Sequence, residues 1–223
     1  MHKLLYLSLA VALLIGACDD GVLTFPQPTP ATVRFVHVIR DVDSLSCVVA
    51  ASDSVTISRG KASSLIRCDA GRPVGFVLKN GSTLLRDTLY YTLGGSANVI
   101  LFARGSASQV VEFRRAIQDT TLPATASPVL RFTHMAEAVN KFFTVEVWVR
   151  GGDKLFSEEF DPGFSSSYAT LPPGTYSFEL REAGTTNVAA VIENVTISAG
   201  TSYMLYSWDA SSNAEDSVNL SIF

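Results

Sequence analysis

The chain has 223 residues, 47% of them hydrophobic and 10% aromatic, with 17 Lys and Arg against 21 Asp and Glu and a net charge of −4. That balance lacks the basic footprint of a nucleic-acid binder and gives no attraction to an anionic lipid surface. The abundance of aliphatic and aromatic residues excludes a chain disordered throughout, and the length suits one large or two small domains.

Met1, His2 and Lys3 precede an apolar run from Leu4 to Ile15, broken only by Ser8 and followed by the small residues Gly16 and Ala17. This charged, apolar, small-residue order predicts an export signal over residues 1–17, too short for the roughly 20 residues of a spanning helix. Ile15-Gly16-Ala17-Cys18 resembles the lipobox of bacterial lipoproteins, with isoleucine where leucine is usual. The resemblance implies cleavage before Cys18, a thioether from its sulfur to diacylglycerol, and acylation that anchors the mature chain to a membrane. Asp19 and Asp20 then resemble an inner-membrane retention signal of some Gram-negative lineages. Without residues 1–17 the charges are 16 basic against 21 acidic, since only Lys3 is lost.

Residues 18–32 include "TFPQPTPAT", whose prolines oppose both helix and central strand and predict an extended tether. A second break, "DTTLPATASP" at 119–128, divides the remainder into segments 33–118 and 129–223 that read as two copies of one unit. Val33-Arg34-Phe35-Val36-His37 matches Leu130-Arg131-Phe132-Thr133-His134, the turn at Gly71 matches that at Gly174, and Gly95 matches Gly200. The offset grows from 97 to 103 to 105, as small loop insertions in the second copy would cause.

Within the copies the apolar period is two. Val145, Val147 and Val149 alternate with Glu146, Trp148 and Arg150, and Tyr176, Phe178 and Leu180 with Ser177, Glu179 and Arg181. Val218, Leu220 and Ile222 suit a last strand. Short strands with Gly, Pro and Asn turns predict two tandem immunoglobulin-like or transthyretin-like antiparallel β-sandwich domains. With Cys18 assigned to lipid, Cys47 and Cys68 remain as an even pair in an exported chain, which predicts a disulfide contributing about 3 kcal/mol in the chain-entropy model. Aligning Asp53 with Asp153 puts Cys47 on the inward face opposite Val147, and Cys68 aligns with Leu171. Val147 should therefore pack near Leu171.

The motifs "LRFTHMAEA", "TVEVWVRGG", "LPPGTYSFELREAG" and "ISAGTSYML" in the second copy together resemble domain of unknown function 4397, found, often in tandem, in bacterial secreted proteins and lipoproteins. The resemblance implies a sandwich-like fold; no activity comes with it. The first copy lacks the tyrosine after Gly71 and carries the cysteines instead.

His37 and His134 fall at equivalent strand ends facing inward, where structural imidazoles are expected to bond loop backbone groups. Ser165, Ser166 and Ser167 lack the strand-elbow-helix setting of a nucleophile, and Asp41, Asp43, Glu158, Glu159 and Asp161 lack a calcium-ligand ladder. No catalytic residue, metal site or cofactor is expected. The most suggestive surface is aromatic: Trp148, with Phe156, Phe160, Phe164 and Tyr168 in or near a Gly-rich hairpin, forms either a ligand surface or a packed seam. These features together predict a lipid-anchored protein of the bacterial cell envelope, a non-catalytic structural or interaction module with the membrane as one partner and an envelope protein or a glycan, not identified by the sequence, as the other. The alternative is a glycan-binding lipoprotein with an aromatic platform around Trp148.

Overall fold

A computed structural model describes residues 30–49, 53–117, 126–137, 144–210 and 217–223. Every regular element among them is a strand, and no helix long and apolar enough to cross a membrane occurs among these residues. The signal segment, Cys18 and most of the tether and of the 119–128 break lie outside them.

The strands are β1 (Ala31–Ile39), β2 (Ser44–Val49), β3 (Asp53–Ser58), β4 (Lys61–Ala62), β5 (Ile66–Cys68), β6 (Pro73–Asn80), β7 (Thr83–Thr92), β8 (Asn98–Gly105) and β9 (Val111–Ile117) in the first half. The second half has β10 (Val129–His134), β11 (Val145–Val149), β12 (Ala169–Thr170), β13 (Gly174–Glu182), β14 (Val188–Ile197), β15 (Ser202–Asp209) and β16 (Val218–Ile222). The first half forms one sheet in the order β4-β1-β8-β9, with β5 also on β1, and a second in the order β3-β2-β6-β7. The second half repeats this plan as β12-β10-β15-β16 and β11-β13-β14. Each half is a β-sandwich whose two inner faces close on a core of its own, one around Phe35, Phe76 and Leu101, the other around Phe132, Phe178 and Leu205.

Pairing is antiparallel except where β1 runs parallel to β8 and β10 to β15. This departs from a purely antiparallel expectation, and the cause is burial. β1 sends Val33, Phe35 and Ile39 into its own sandwich but Val36 and Val38 out of the other face, and β8 sends Val99 and Leu101 one way but Ile100 and Phe102 the other. A strand buried on both faces needs a continuous apolar run, which "VILFA" supplies. The outward residues meet Met135, Met204 and Tyr206 of the second half in a third apolar cluster. The layers therefore stack as outer sheet, inner sheet, inner sheet, outer sheet. The two outer sheets face opposite ways.

The repeat carries over to hydrogen bonds. Gly60 N–H donates to the His37 carbonyl at 2.7 Å, and Gly163 N–H donates to that of His134 at 2.6 Å. Ser63 Oγ accepts from Phe35 N–H at 3.0 Å and donates to Ser64 O, while Ser166 Oγ accepts from Phe132 N–H at 2.8 Å and donates to Ser167 O. Cys47 stands opposite Leu78 where Val147 stands opposite Leu180, and Leu171 packs on the core that holds Val147.

Candidate functional site

The outer face of β11-β13-β14 concentrates the polar chemistry of the second half. Alternation along β11 turns Val145 and Val147 inward and Glu146, Trp148 and Arg150 outward. Antiparallel register sets Glu146 beside Arg181 and Trp148 beside Glu179. The indole Nε1 donates to Glu146 Oε2 at 3.0 Å, Lys154 Nζ donates to Glu146 Oε1 at 2.9 Å, and the Arg181 guanidinium lies 4.5 Å over the indole ring. Arg181 also grips Glu179 through Nε and Nη2, at 3.0 and 2.6 Å, and Arg150 pairs with Glu179 at 3.4 Å and with Glu193.

Glu146 and Glu179 are buried although charged. Burial by itself would raise the Glu146 carboxyl, but hydrogen bonds from Lys154 and Trp148 and the lysine's charge outweigh it, and its pKa lies below the ordinary value. The result is a half-exposed indole fixed in a lattice of alternating charge, with cationic and carboxylate edges close to an aromatic face.

The five aromatic side chains expected on one surface are not together. After Trp148 the chain turns at Gly151, whose φ is 73°, and runs back along the edge of β11 through bridges Trp148↔Lys154 and Val145↔Phe160. This path puts Phe156 and Phe160 under the edge of the sheet, both buried, with Phe160 edge-on to Phe132 at 5.1 Å and to Phe156 at 5.7 Å. They are core residues and not a ligand surface. Phe164 is 65% exposed and Tyr168 39% exposed, but they belong to the segment alongside β10, near the first half. Arg131 lies 5.5 Å over the Tyr168 ring, and the Tyr168 hydroxyl is 3.4 Å from the Ile117 carbonyl. Only Trp148 stands on the outer face of β11-β13-β14.

Cys47 and Cys68 are both buried in the first core but are not bonded to each other. They sit on opposing sheets, Cys47 on β2 and Cys68 on β5. Burial pushes the Cys47 thiol up to about 12, so as a thiol it is not nucleophilic.

The remaining polar candidates are built into the framework. His37 and His134 are fully buried. His134 Nδ1 shares a 2.6 Å hydrogen bond with Ser207 Oγ, and His37 Nδ1 accepts from Ile39 N–H at 3.3 Å. Ser207 lies beside His134 in the parallel pair where Ala103 lies beside His37, so the second copy supplies a hydroxyl that the first lacks. Burial lowers the His37 pKa to about 4, against the pull of the Val42 carbonyl. Asp41 accepts from Ser106 Oγ, Ala107 N–H and Ser108 N–H and so ties down the β8–β9 loop. Burial opposes these bonds but does not offset them, and the carboxyl falls to about 2. Asp43 pairs with Arg59 at 3.0 Å, and Glu158 accepts from Ser157 and Ser167. Ser165 Oγ lies 2.9 Å from Thr133 Oγ1.

The polar end of the seam between the halves is made by residues that form no motif in the sequence. Arg104 Nη2 donates to Glu137 Oε1 at 2.6 Å, Arg40 lies 3.9 Å from both Glu137 and Asp209, and Asp209 accepts from Glu137 N–H at 2.9 Å. Burial raises the Asp209 carboxyl to about 6 despite that bond and the two arginines. A cleft of about 410 Å³ opens elsewhere on the seam, between Lys61, Tyr206, Ser221 and Phe223. The unbroken apolar run of β8, Val99–Ala103, was the signal that could have revealed a second buried face.

No family model and no curated protein matches the chain. Among solved structures it is similar to the Bacillus anthracis TIE protein, at 10% identity over 79% of this chain and 33% of that chain, with a TM-score of 0.24; it thus spans about a third of that protein's length. It is also similar to a family 26 carbohydrate-binding module of Eubacterium rectale solved in complex with maltoheptaose, at 11% identity over 87% of this chain and 96% of that chain, with a TM-score of 0.25. A third is a Bacteroides thetaiotaomicron protein (domain of unknown function 1812) provisionally assigned to polysaccharide binding, at 8% identity, 82% and 92% coverage and a TM-score of 0.19. Scores of this size carry no inference about what this chain does.

Proposed function

We propose that this chain is a lipid-anchored, non-catalytic interaction module of the bacterial cell envelope, which engages an envelope protein through the outer face of β11-β13-β14. The observation that carries this reading is the half-exposed Trp148, held by Glu146 and Arg181 on a sheet that faces away from the rest of the molecule. An aromatic anchor ringed by ordered charges suits a binding face with a hot-spot centre. The polar groups that chemistry would need are engaged elsewhere: His134 with Ser207, Ser166 with the backbone at Phe132 and Ser167, Asp41 with the loop at 106–108.

A glycan ligand is the second reading, favoured by the same indole, since sugar rings stack on aromatic faces and hydrogen-bond to neighbouring carboxylates and guanidiniums. A pull-down from envelope extract alongside a glycan array separates the two. Capture of a protein lost on Trp148→Ala supports the first reading. Glycan binding lost on the same substitution replaces it with the second.

Anchoring rests on Cys18. The chain expressed in a bacterium should partition into detergent and incorporate labelled palmitate, and Cys18→Ser should abolish both. Retention of the label in that variant sinks the anchor. In an oxidising envelope Cys47 and Cys68 close to a disulfide that draws the two sheets of the first half together, as immunoglobulin sandwiches do around theirs. Non-reduced protein denatured in alkylating agent should gain no label at either position; two labelled thiols would leave the pair reduced.

A further inference from the structure

The seam between the halves has a symmetry that the repeat makes legible. Matching strand pairs and turns gives Arg34 and Arg131, Arg40 and Glu137, Gly60 and Gly163, Phe102 and Tyr206, and Arg104 and Trp208 as equivalent positions in the two copies. Contacts across the seam come in pairs that exchange when the copies are exchanged. Gly60 of the first copy, with φ 72°, lies against the Trp208 indole, and Gly163 of the second, with φ 89°, lies against Arg104, the Trp208 equivalent. Arg34 covers the Phe223 ring at 4.6 Å, while Arg131 donates at 2.8 Å to Ile117, one residue beyond Ala116, which matches Phe223. Phe102 and Tyr206 face each other edge-on at 5.6 Å, and Arg40 and Glu137 face each other at 3.9 Å. Equivalent residues meet one another only near a two-fold axis, so the face is isologous in the sense of a symmetric dimer.

The chemistry on that face is not symmetric. The first copy brings Arg40 and Arg104 and the second brings Glu137 and Asp209, with Arg104 buried and also 3.3 Å from Glu112 of its own copy. Two first copies paired this way would oppose Arg40 to Arg40, and two second copies would oppose Glu137 to Glu137. Like charges set opposite each other across an interface oppose docking. We propose that the seam is a dimer interface fused into one chain, in which each repeat takes the other, and not a second copy of itself, as its partner. This pairing is independent of what the Trp148 face binds.

The test uses the full chain with a protease site inserted in the 119–128 break. After cleavage the two fragments should remain a 1:1 complex by light scattering and native mass measurement. Fragments that separate at micromolar concentration, or that re-sort into like-with-like dimers, overturn the proposal. Glu137→Arg should weaken the cut complex by about tenfold or more, and adding Arg40→Glu should recover part of that loss, the coupling of a direct charge pair. Glu137→Gln, a milder change, should weaken it less and reduce its salt dependence. Singles without effect, or a double variant that shows no coupling, overturn the charge assignment.

Discussion

Ser166 shows what a single buried hydroxyl does here. It accepts from Phe132 N–H and donates to Ser167 O, joining β10 to the segment that carries β12. Ser166→Ala leaves the Phe132 amide without that acceptor and should cost about 1–3 kcal/mol in denaturant unfolding; a loss near zero would show that water replaces the hydroxyl. Buried phenyl rings behave differently from exposed ones. Phe160→Ala should cost about 3–5 kcal/mol, whereas Phe164→Ala should change stability by less than about 0.5 kcal/mol. Equal losses in the two variants would place Phe164 in the core. Titration also acts at this scale, with two opposite signs. His37, lowered to about 4 from an ordinary 6.5, contributes stability that is complete above 6.5 and lost as pH falls toward 4. Asp209, raised to about 6 from 3.8, binds its proton more readily when folded, so its contribution is complete below 3.8 and lost as pH rises through 6. The two partly cancel between pH 4 and 6. Asp209→Asn should therefore make the urea midpoint fall more steeply on acidification across that window; an unchanged slope would remove Asp209 from the balance.

At the scale of elements, the turn between β3 and β4 is tightly constrained. Gly60 combines a positive φ with a Cα pressed against the Trp208 ring, so any Cβ would overlap the indole. Gly81 has a similar φ, 58°, but open space around it. Gly81→Ala should cost about 1 kcal/mol, the penalty of left-handed backbone alone. Gly60→Ala should cost clearly more and alter the environment of Trp208, read as a change in tryptophan fluorescence; equal costs would mean that the seam yields freely. The same turn explains a feature of the sequence that motif matching passed over. "GKASS" and "GFSSS" are the same element, with a glycine facing the other half and a serine bonding back to the first strand of its own. Residues 150–160 were less legible, since their phenylalanines follow no strand period. Only the bridges to β11 decide which of them turn inward.

For the whole molecule, the shared cluster of Val36, Phe102, Met135, Met204 and Tyr206 couples the two sandwiches, helped by the Tyr206 hydroxyl donating to the Gly60 carbonyl at 2.9 Å. Both halves should unfold in one thermal transition, and weakening the seam should divide it in two. The alternation in β11 and β13 and the repeated Arg-x-x-His starts determined, by themselves, that the chain makes two sandwiches with equivalent strands. Such patterns are local, because period-two burial follows from the geometry of one strand. Tertiary structure alone decided that Phe156 and Phe160 leave the Trp148 face, that Arg40 meets Glu137, and that β1 and β8 are buried on both sides. Those outcomes depend on which face a distant segment covers, and a strand's own residues encode its apolarity but not the identity of the surface that it meets.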